Sequence, residues 1–282
     1  MEENILKEEY KNKSDKIKEK KVLTIFGISI WRILAYFIIY SVIGYIVETL
    51  YGIATKGVWE SRQSFLYGPF CGIYGVGAVI MILFLQFFSK NHNTLFFGGF
   101  VIGSITEYII SFLGETFLHI RWWDYSNMPL NINGRICVFF SLFWGFLAMY
   151  LMGWLNPKID KIIDYIKSKI SVKKIRIITI SAFILILLDC IITVASLNLF
   201  LVRMIEQNNI DVTYREEVTK QYNEIYTNEK ISSFIYKFWG DRKMIRTYPN
   251  IKVEDRNGNI IYIDSLLKDI QPYYYKIYDK KD

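Results

Sequence analysis

Five stretches almost free of charge alternate with short polar segments along the chain. Residues 22–54 contain only Arg32 and Glu48, and residues 66–88 contain no charge. Residues 94–118 carry Glu107 and Glu115, residues 136–155 carry none, and residues 177–202 carry only Asp189. About 20 apolar residues span a hydrocarbon core of about 30 Å. The pattern predicts an all-α integral membrane protein with about five transmembrane helices, near 33–53, 66–88, 94–118, 136–155 and 177–202. A polar N-terminal segment (1–21) precedes a transmembrane domain (22–202), and a soluble C-terminal tail (203–282) follows. Residues 1–21 are acidic as well as basic and lead into no short apolar core with a small-residue cleavage site. They do not read as a secretory leader.

Two polar segments carry patterns of their own. In 156–176, Ile159, Ile162, Ile163, Ile166 and Ile170 recur at helical spacing opposite the lysines. That is the pattern of a basic amphipathic helix lying on a membrane surface. In the tail, Val218, Tyr222, Ile225 and Tyr226 predict a helix. Ile251 to Val253 and Ile260 to Ile263, separated by Asn257-Gly258, predict a hairpin, because Asn-Gly supplies positive φ angles. The tail thus reads as helix plus hairpin. No internal repeat is read from the sequence.

Charge sharpens this picture. Apolar residues make up 52% and charged residues 22%, close to a soluble protein, so the distribution decides. Of 34 Lys and Arg, only Arg32, Lys56, Arg62, Lys90, Arg121 and Arg135 fall between Val22 and Asn156. Residues 156–176 hold Lys158, Lys161, Lys167, Lys169, Lys173, Lys174 and Arg176 against Asp160 and Asp164. Most of the net charge of +7 therefore sits in one short connection. That placement suits anionic headgroups and a cytoplasmic loop rather than nucleic acid. It predicts a cytoplasmic N-terminus, with the connections near 54–65 and 119–135 and the tail outside. Abundant Lys, Ile, Asn and Tyr with three cysteines fit a multi-pass protein of a bacterial plasma membrane.

Ionisable groups inside a bilayer are costly, so they mark candidate chemistry. Gly103, Glu107, Ser111 and Gly114 share one helical stripe, with Glu115 adjoining. Gly99 and Gly103 are spaced for close helix approach, as are Gly68 and Gly72. The short connection at 89–93 predicts that the second and third spans form a glycine-mediated hairpin. The loop from Arg121-Trp-Trp-Asp-Tyr125 to Asn131-Ile-Asn-Gly-Arg135 is rich in polar and aromatic groups. The candidate substrate-binding set is Glu48, Glu107, Glu115, Arg121, Trp122, Asp124, Asn133 and Arg135. In it the glutamates line one polar cavity and the arginines clamp an anion at its mouth. The plainer readings are that Trp122 anchors the interface and that the arginines neutralise the glutamates. Cys71 and Cys137 share one end of their spans, so a bridge between them is open, with small apolar packing the default.

Catalytic signatures are absent. The chain holds no GxxxxGK[ST], HExxH, CxxC or GxSxG. The expectation is no cofactor, no metal and no enzymatic activity.

Longer motifs carry a family resemblance. Gly44-Tyr-Ile-Val-Glu48, Phe65-Leu-Tyr-Gly-Pro-Phe-Cys-Gly-Ile-Tyr-Gly75, the pair Glu107 and Glu115, Arg121-Trp-Trp-Asp-Tyr-Ser126, Asn131-Ile-Asn-Gly-Arg-Ile-Cys137 and Phe143-Trp-Gly145 resemble the putative ABC-transporter type IV permeases, the CmpB-like membrane proteins. The likeness covers about residues 40–160, and Tyr248-Pro-Asn250 with Asn257-Gly258 extends it into the tail. It implies a permease-like membrane subunit of a transporter or flippase for a small amphiphile or lipid. The implied partners are the lipid bilayer and either a separate ATPase subunit or further copies of the chain. Two other readings stand beside it: a non-transporting scaffold or sensor, and a membrane-embedded enzyme using the intramembrane glutamates on lipid-linked substrates.

Overall fold

The computed structural model describes residues 23–88, 91–118, 121 and 123–278. A short antiparallel pair, β1 (Thr24–Ile25) and β2 (Ile28–Ser29), leads into helix α1 (Ile30–Lys56). Strand β3 (Val58–Trp59) and an irregular segment follow, then α2 (Gly72–Leu85) with a 3-10 turn at Gln86–Phe88, and α3 (His92–Leu118). A hairpin of β4 (Asn131–Ile132) and β5 (Ile136–Cys137) precedes α4 (Val138–Tyr150), a π-helical turn (Leu151–Leu155) and α5 (Asn156–Lys169). Then α6 (Val172–Gln207) runs into α7 (Arg215–Tyr226), α8 (Glu229–Trp239) and α9 (Asp241–Thr247). The hairpin β6 (Lys252–Glu254) and β7 (Ile260–Tyr262), α10 (Ile263–Leu266) and β8 (Tyr275–Lys276) complete the chain. The protein is all-α apart from these two- and three-residue strands.

Ile30–Lys56, His92–Phe117, Val138–Lys169 and Val172–Gln207 are each long and apolar enough to cross a membrane, and α2 is a shorter apolar helix. Their outward faces expose large apolar side chains such as Leu50, Phe97, Phe146, Leu185 and Ile191. Such faces suit lipid, not water.

Three boundaries differ from the hydropathy reading. First, residues 66–71 are apolar but not helical. Gly68 holds φ +79° and is followed by Pro69, which bars a helix through this point. The freed backbone groups find partners on α6: Leu66 N–H donates to Thr193 Oγ1 at 2.7 Å, and Tyr67 N–H donates to both Asp189 oxygens at 3.2 and 3.1 Å. Second, the helix at 136–155 and the basic amphipathic segment are one continuous helical stretch, Val138–Lys169, joined through the π turn. Ile159 and Ile163 are buried, while Ile162, Ile166 and Ile170 are exposed. Third, no break separates the membrane helix from the tail at 202. Helix α6 continues to Gln207, and its last turns lie in the core of the tail.

Two apolar cores result. One lies among α1 to α5 and includes Tyr36, Tyr40, Met81, Leu95, Trp144 and Ala148. The other joins Leu197 to Ile205 of α6 with Met244, Ile245, Ile251, Val253 and Ile263 of the tail. Arg203 is fully buried there. It pairs with Asp241, donates to Tyr226 Oη and the Trp239 carbonyl at 3.2 Å each, and lies 4.8 Å from the Tyr236 ring. A buried guanidinium needs this many partners to offset its lost hydration.

Polar contacts sort the bundle into two ends. At one, Arg32 binds Asp160 at 2.7 Å and Asp164 at 3.4 Å, tying the start of α1 to basic α5. At the other, the tail grips both connecting loops. Strand β3 pairs with β8, the Tyr278 hydroxyl donates to the carbonyls of Ile53 and Ala54, and Arg121 bridges to Lys252. The tail thus lies on the face bearing the β3 and β4–β5 loops, opposite the lysine-rich helix.

Candidate functional site

The glycine pairs bring different helices together than the sequence spacing implies. A Cβ on Gly99 would meet Ala148 and the Trp144 carbonyl, and one on Gly103 would meet the Trp144 side chain. A Cβ on Gly75 would meet Ser41 and Phe37, and one on Gly44 would meet Tyr74. The close approaches are therefore α1 to α2 and α3 to α4. The expected glycine contact between α2 and α3 reduces to Gly98 against Leu85. Cys71 and Cys137 are both free and buried.

These two pairs of helices are built alike. Tyr74 lies over Gly44 and its hydroxyl donates 2.7 Å to Glu48 Oε1, one turn along α1. Trp144 lies over Gly103 and its Nε1 donates 3.1 Å to Glu107 Oε2, one turn along α3. Gly75, after Tyr74, packs on Phe37; Gly145, after Trp144, packs on Phe96. Phe37 and Phe96 each precede the paired glycine by seven residues. Gly44-Tyr-Ile-Val-Glu48 thus matches Gly103-Ser-Ile-Thr-Glu107, and Cys71-Gly-Ile-Tyr-Gly-Val-Gly-Ala78 matches Ser141-Leu-Phe-Trp-Gly-Phe-Leu-Ala148. The bundle contains an internal repeat that sequence inspection missed. The identities are too few to register without the contacts that align them.

The repeats meet where the Tyr74 and Trp144 rings lie 5.8 Å apart. A line of groups runs through this contact: Glu48, Tyr74, Trp144, Glu107 and, at its end, the Tyr125 hydroxyl donating 2.8 Å to Glu107 Oε1. Glu107 is 5% exposed and receives these bonds from uncharged donors. Tyr125 closes over it, stacked on Phe140 at 4.7 Å.

The remaining candidates form a second layer. Glu115 accepts from Arg121 at 2.9 Å and from Arg135 at 2.5 Å, and Arg121 also reaches Glu254 of the tail at 2.6 Å. Arg135 lies over the Tyr108 and Phe112 rings, 5.6 and 5.8 Å from their centres. Burial alone would lower the pKa of Arg121, but the Glu115 and Glu254 carboxylates outweigh it and hold the group charged. Asn133, with φ +54°, and Gly134 turn the β4–β5 hairpin, and Asn133 donates to the Tyr108 hydroxyl at 3.1 Å. Trp123 Nε1 donates to the Arg135 carbonyl, and Tyr125 N–H to the Gly134 carbonyl. Asp124 shapes the same loop by accepting from the Ser126 N–H and hydroxyl. Burial would raise its carboxyl, but the Ser126 bonds and nearby Lys252 and Arg121 outweigh it and hold the carboxyl below the usual range. Trp122 lies outside the described residues.

The structure therefore divides the eight candidates. Glu48 and Glu107 share the aromatic line, of which Glu107 and Trp144 are buried. Glu115, Arg121 and Arg135 share an ion cluster, while Asp124 and Asn133 build the loop between. Tyr74, Tyr125, Trp144 and Glu254 were not singled out as site residues. The signal for three of them lay inside the quoted motifs, at Tyr74, Tyr125 and Trp144. Among the described residues, no group of three or more His, Cys, Asp or Glu could hold a metal.

A bundle of long apolar helices marks a membrane protein, with Glu48 and Glu107 placed where its two like hairpins meet. The chain belongs to the family described as putative ABC-transporter type IV, whose sequence pattern matches residues 35–194. That match spans the helical bundle from α1 into α6 and stops short of the tail. No curated protein and no solved structure matches the chain.

Proposed function

We propose that the chain is the permease subunit of a transporter that moves a small amphiphile or lipid, driven by a separate ATPase subunit. It crosses a bacterial plasma membrane five times, with α5 in the cytoplasm and the tail outside, and performs no covalent chemistry itself. The observation that carries this reading is the pair of like hairpins with Glu48 and Glu107 at their junction. Transporters are commonly built from internal repeats whose interface holds the substrate. An intramembrane carboxylate without a counter-charge is a functional candidate by default. The non-helical segment at 66–71 fits as well, because irregular backbone at membrane depth is tolerated where protein satisfies it. In this reading the Tyr125 hydroxyl leaves Glu107 to expose an acceptor for the substrate, and the tail governs that step through the Arg121–Glu254 contact.

Glu107→Gln keeps the shape while removing the charge. In a deletion strain with a measurable phenotype, this variant should fail to complement at normal abundance, as should Glu48→Gln. Full complementation by both would overturn the assignment. The tail's grip on both loops also favours a second reading, a sensor that reports an external ligand inward. Co-purification of an ATPase with the intact chain separates the two, since a sensor requires none.

A further inference from the structure

The tail contributes a second polar site, built from residues the first does not use and independent of the transport reading. Between α8, α9 and the irregular segment before α2 lies an open crevice of about 820 Å³. Lys237, Arg242, Lys243 and Arg246 all line it. Its one acidic residue, Asp241, is already committed to the buried guanidinium of Arg203. Among the described residues, no ion pair engages any of the four cations. Lys243 lies 4.3 Å from the centre of the Tyr67 ring, and Arg246 Nε donates to the Gln271 carbonyl at 3.2 Å, which fixes both at the rim. Asp189, below the floor, offsets part of the charge of Lys243, and the remaining like charges around the opening repel, a cost that a bound anion removes.

The surroundings indicate what kind of anion. The crevice floor is the segment whose backbone is tied to Asp189 and Thr193, so it opens where α6 passes from its apolar stretch into the tail. Beside it, α8 exposes Ile231, Phe234 and Phe238 on one face, next to Lys237. An apolar helical face flanked by lysine is the arrangement of an interfacial helix. Guanidinium groups suit the paired oxygens of a phosphate. We infer that this crevice binds a phosphate group, carried either by the headgroup of an anionic phospholipid or by a free phosphate.

The test uses the full chain in neutral detergent, with binding read from tryptophan fluorescence. The probes are inorganic phosphate, dihexanoyl phosphatidic acid and dihexanoyl phosphatidylcholine. Phosphatidic acid should bind saturably, and at least ten-fold more tightly than phosphatidylcholine. Arg242→Gln with Lys243→Gln should weaken it ten-fold or more, whereas exposed Lys220→Gln with Lys268→Gln should leave it unchanged. Lys237→Gln with Arg246→Gln is an independent pair expected to weaken it likewise. If inorganic phosphate binds as tightly as phosphatidic acid, the source is a free phosphate; if it does not, the source is lipid. Absence of saturable binding by both would overturn the site. So would unaltered binding in either crevice pair at wild-type melting temperature.

Discussion

Among the acidic residues of the apolar stretches, the structure distinguishes three kinds of partner. Glu107 accepts from a phenol and an indole, Glu115 from two guanidinium groups, and Asp189 from backbone N–H. Each arrangement does different work, although the sequence grouped Glu107 with Glu115 in one candidate site and left Asp189 outside it. Asp189 holds the non-helical backbone at Tyr67 in place, so its role is structural. Leaving a buried donor without a partner costs about 1–3 kcal/mol. Asp189→Ala should therefore lower the melting temperature of the purified protein, while Asp189→Asn, which keeps an acceptor oxygen, should recover most of the loss. Melting of Asp189→Ala at the wild-type temperature would show that the segment is held by something else. The acid itself was legible from its place in a charge-free run. Its partner was not, because Tyr67 lies 122 residues away.

The membrane helices were largely legible because apolar runs of this length have few alternatives. Their detailed limits were not. Hydropathy weighs side chains and ignores backbone, so 66–71 read as helix although Gly68-Pro69 forbids one. The glycine stripes announced close approach without naming the partner, since a stripe records only which face is small. The contacts now rank the glycines. A side chain at Gly75 or Gly103 meets backbone or the root of a large ring, whereas one at Gly72 first meets the far edge of Phe65 at 3.1 Å, which can turn aside. Overpacking of this kind typically costs about 1–3 kcal/mol. Gly103→Leu and Gly75→Leu should each reduce folded yield and melting temperature clearly, and Gly72→Leu only slightly. Equal melting in all three would refute the α1–α2 and α3–α4 pairing.

At the scale of the whole molecule, the polar contacts give the bundle a sidedness that lysine counts only indicate. Arg32 with Asp160 marks one end; β3 with β8 and Arg121 with Glu254 mark the other. Cysteines placed singly at Ser126, Ser168 and Asn228 should show it in intact cells, measured against the unsubstituted chain. An impermeant thiol reagent should label the first and third and spare the second. Labelling at Ser168, or opposite behaviour of Ser126 and Asn228, would contradict the arrangement. These long-range pairings were beyond sequence reading because each joins segments separated by a hundred residues or more.

One consequence of α6 concerns how such a molecule can be taken apart. At 36 residues the helix is about 54 Å long, and it enters the tail core without a joint. The family pattern ends at residue 194, inside this rod rather than at a linker. Bundle and tail are therefore phase-locked. One residue added between them turns the tail by about 100° and advances it about 1.5 Å, swinging β8 away from β3 and Glu254 away from Arg121. Tails can be exchanged between relatives only where the residue count of this helix is kept, so the splice point carries an angular and axial constraint that no flexible connector would impose.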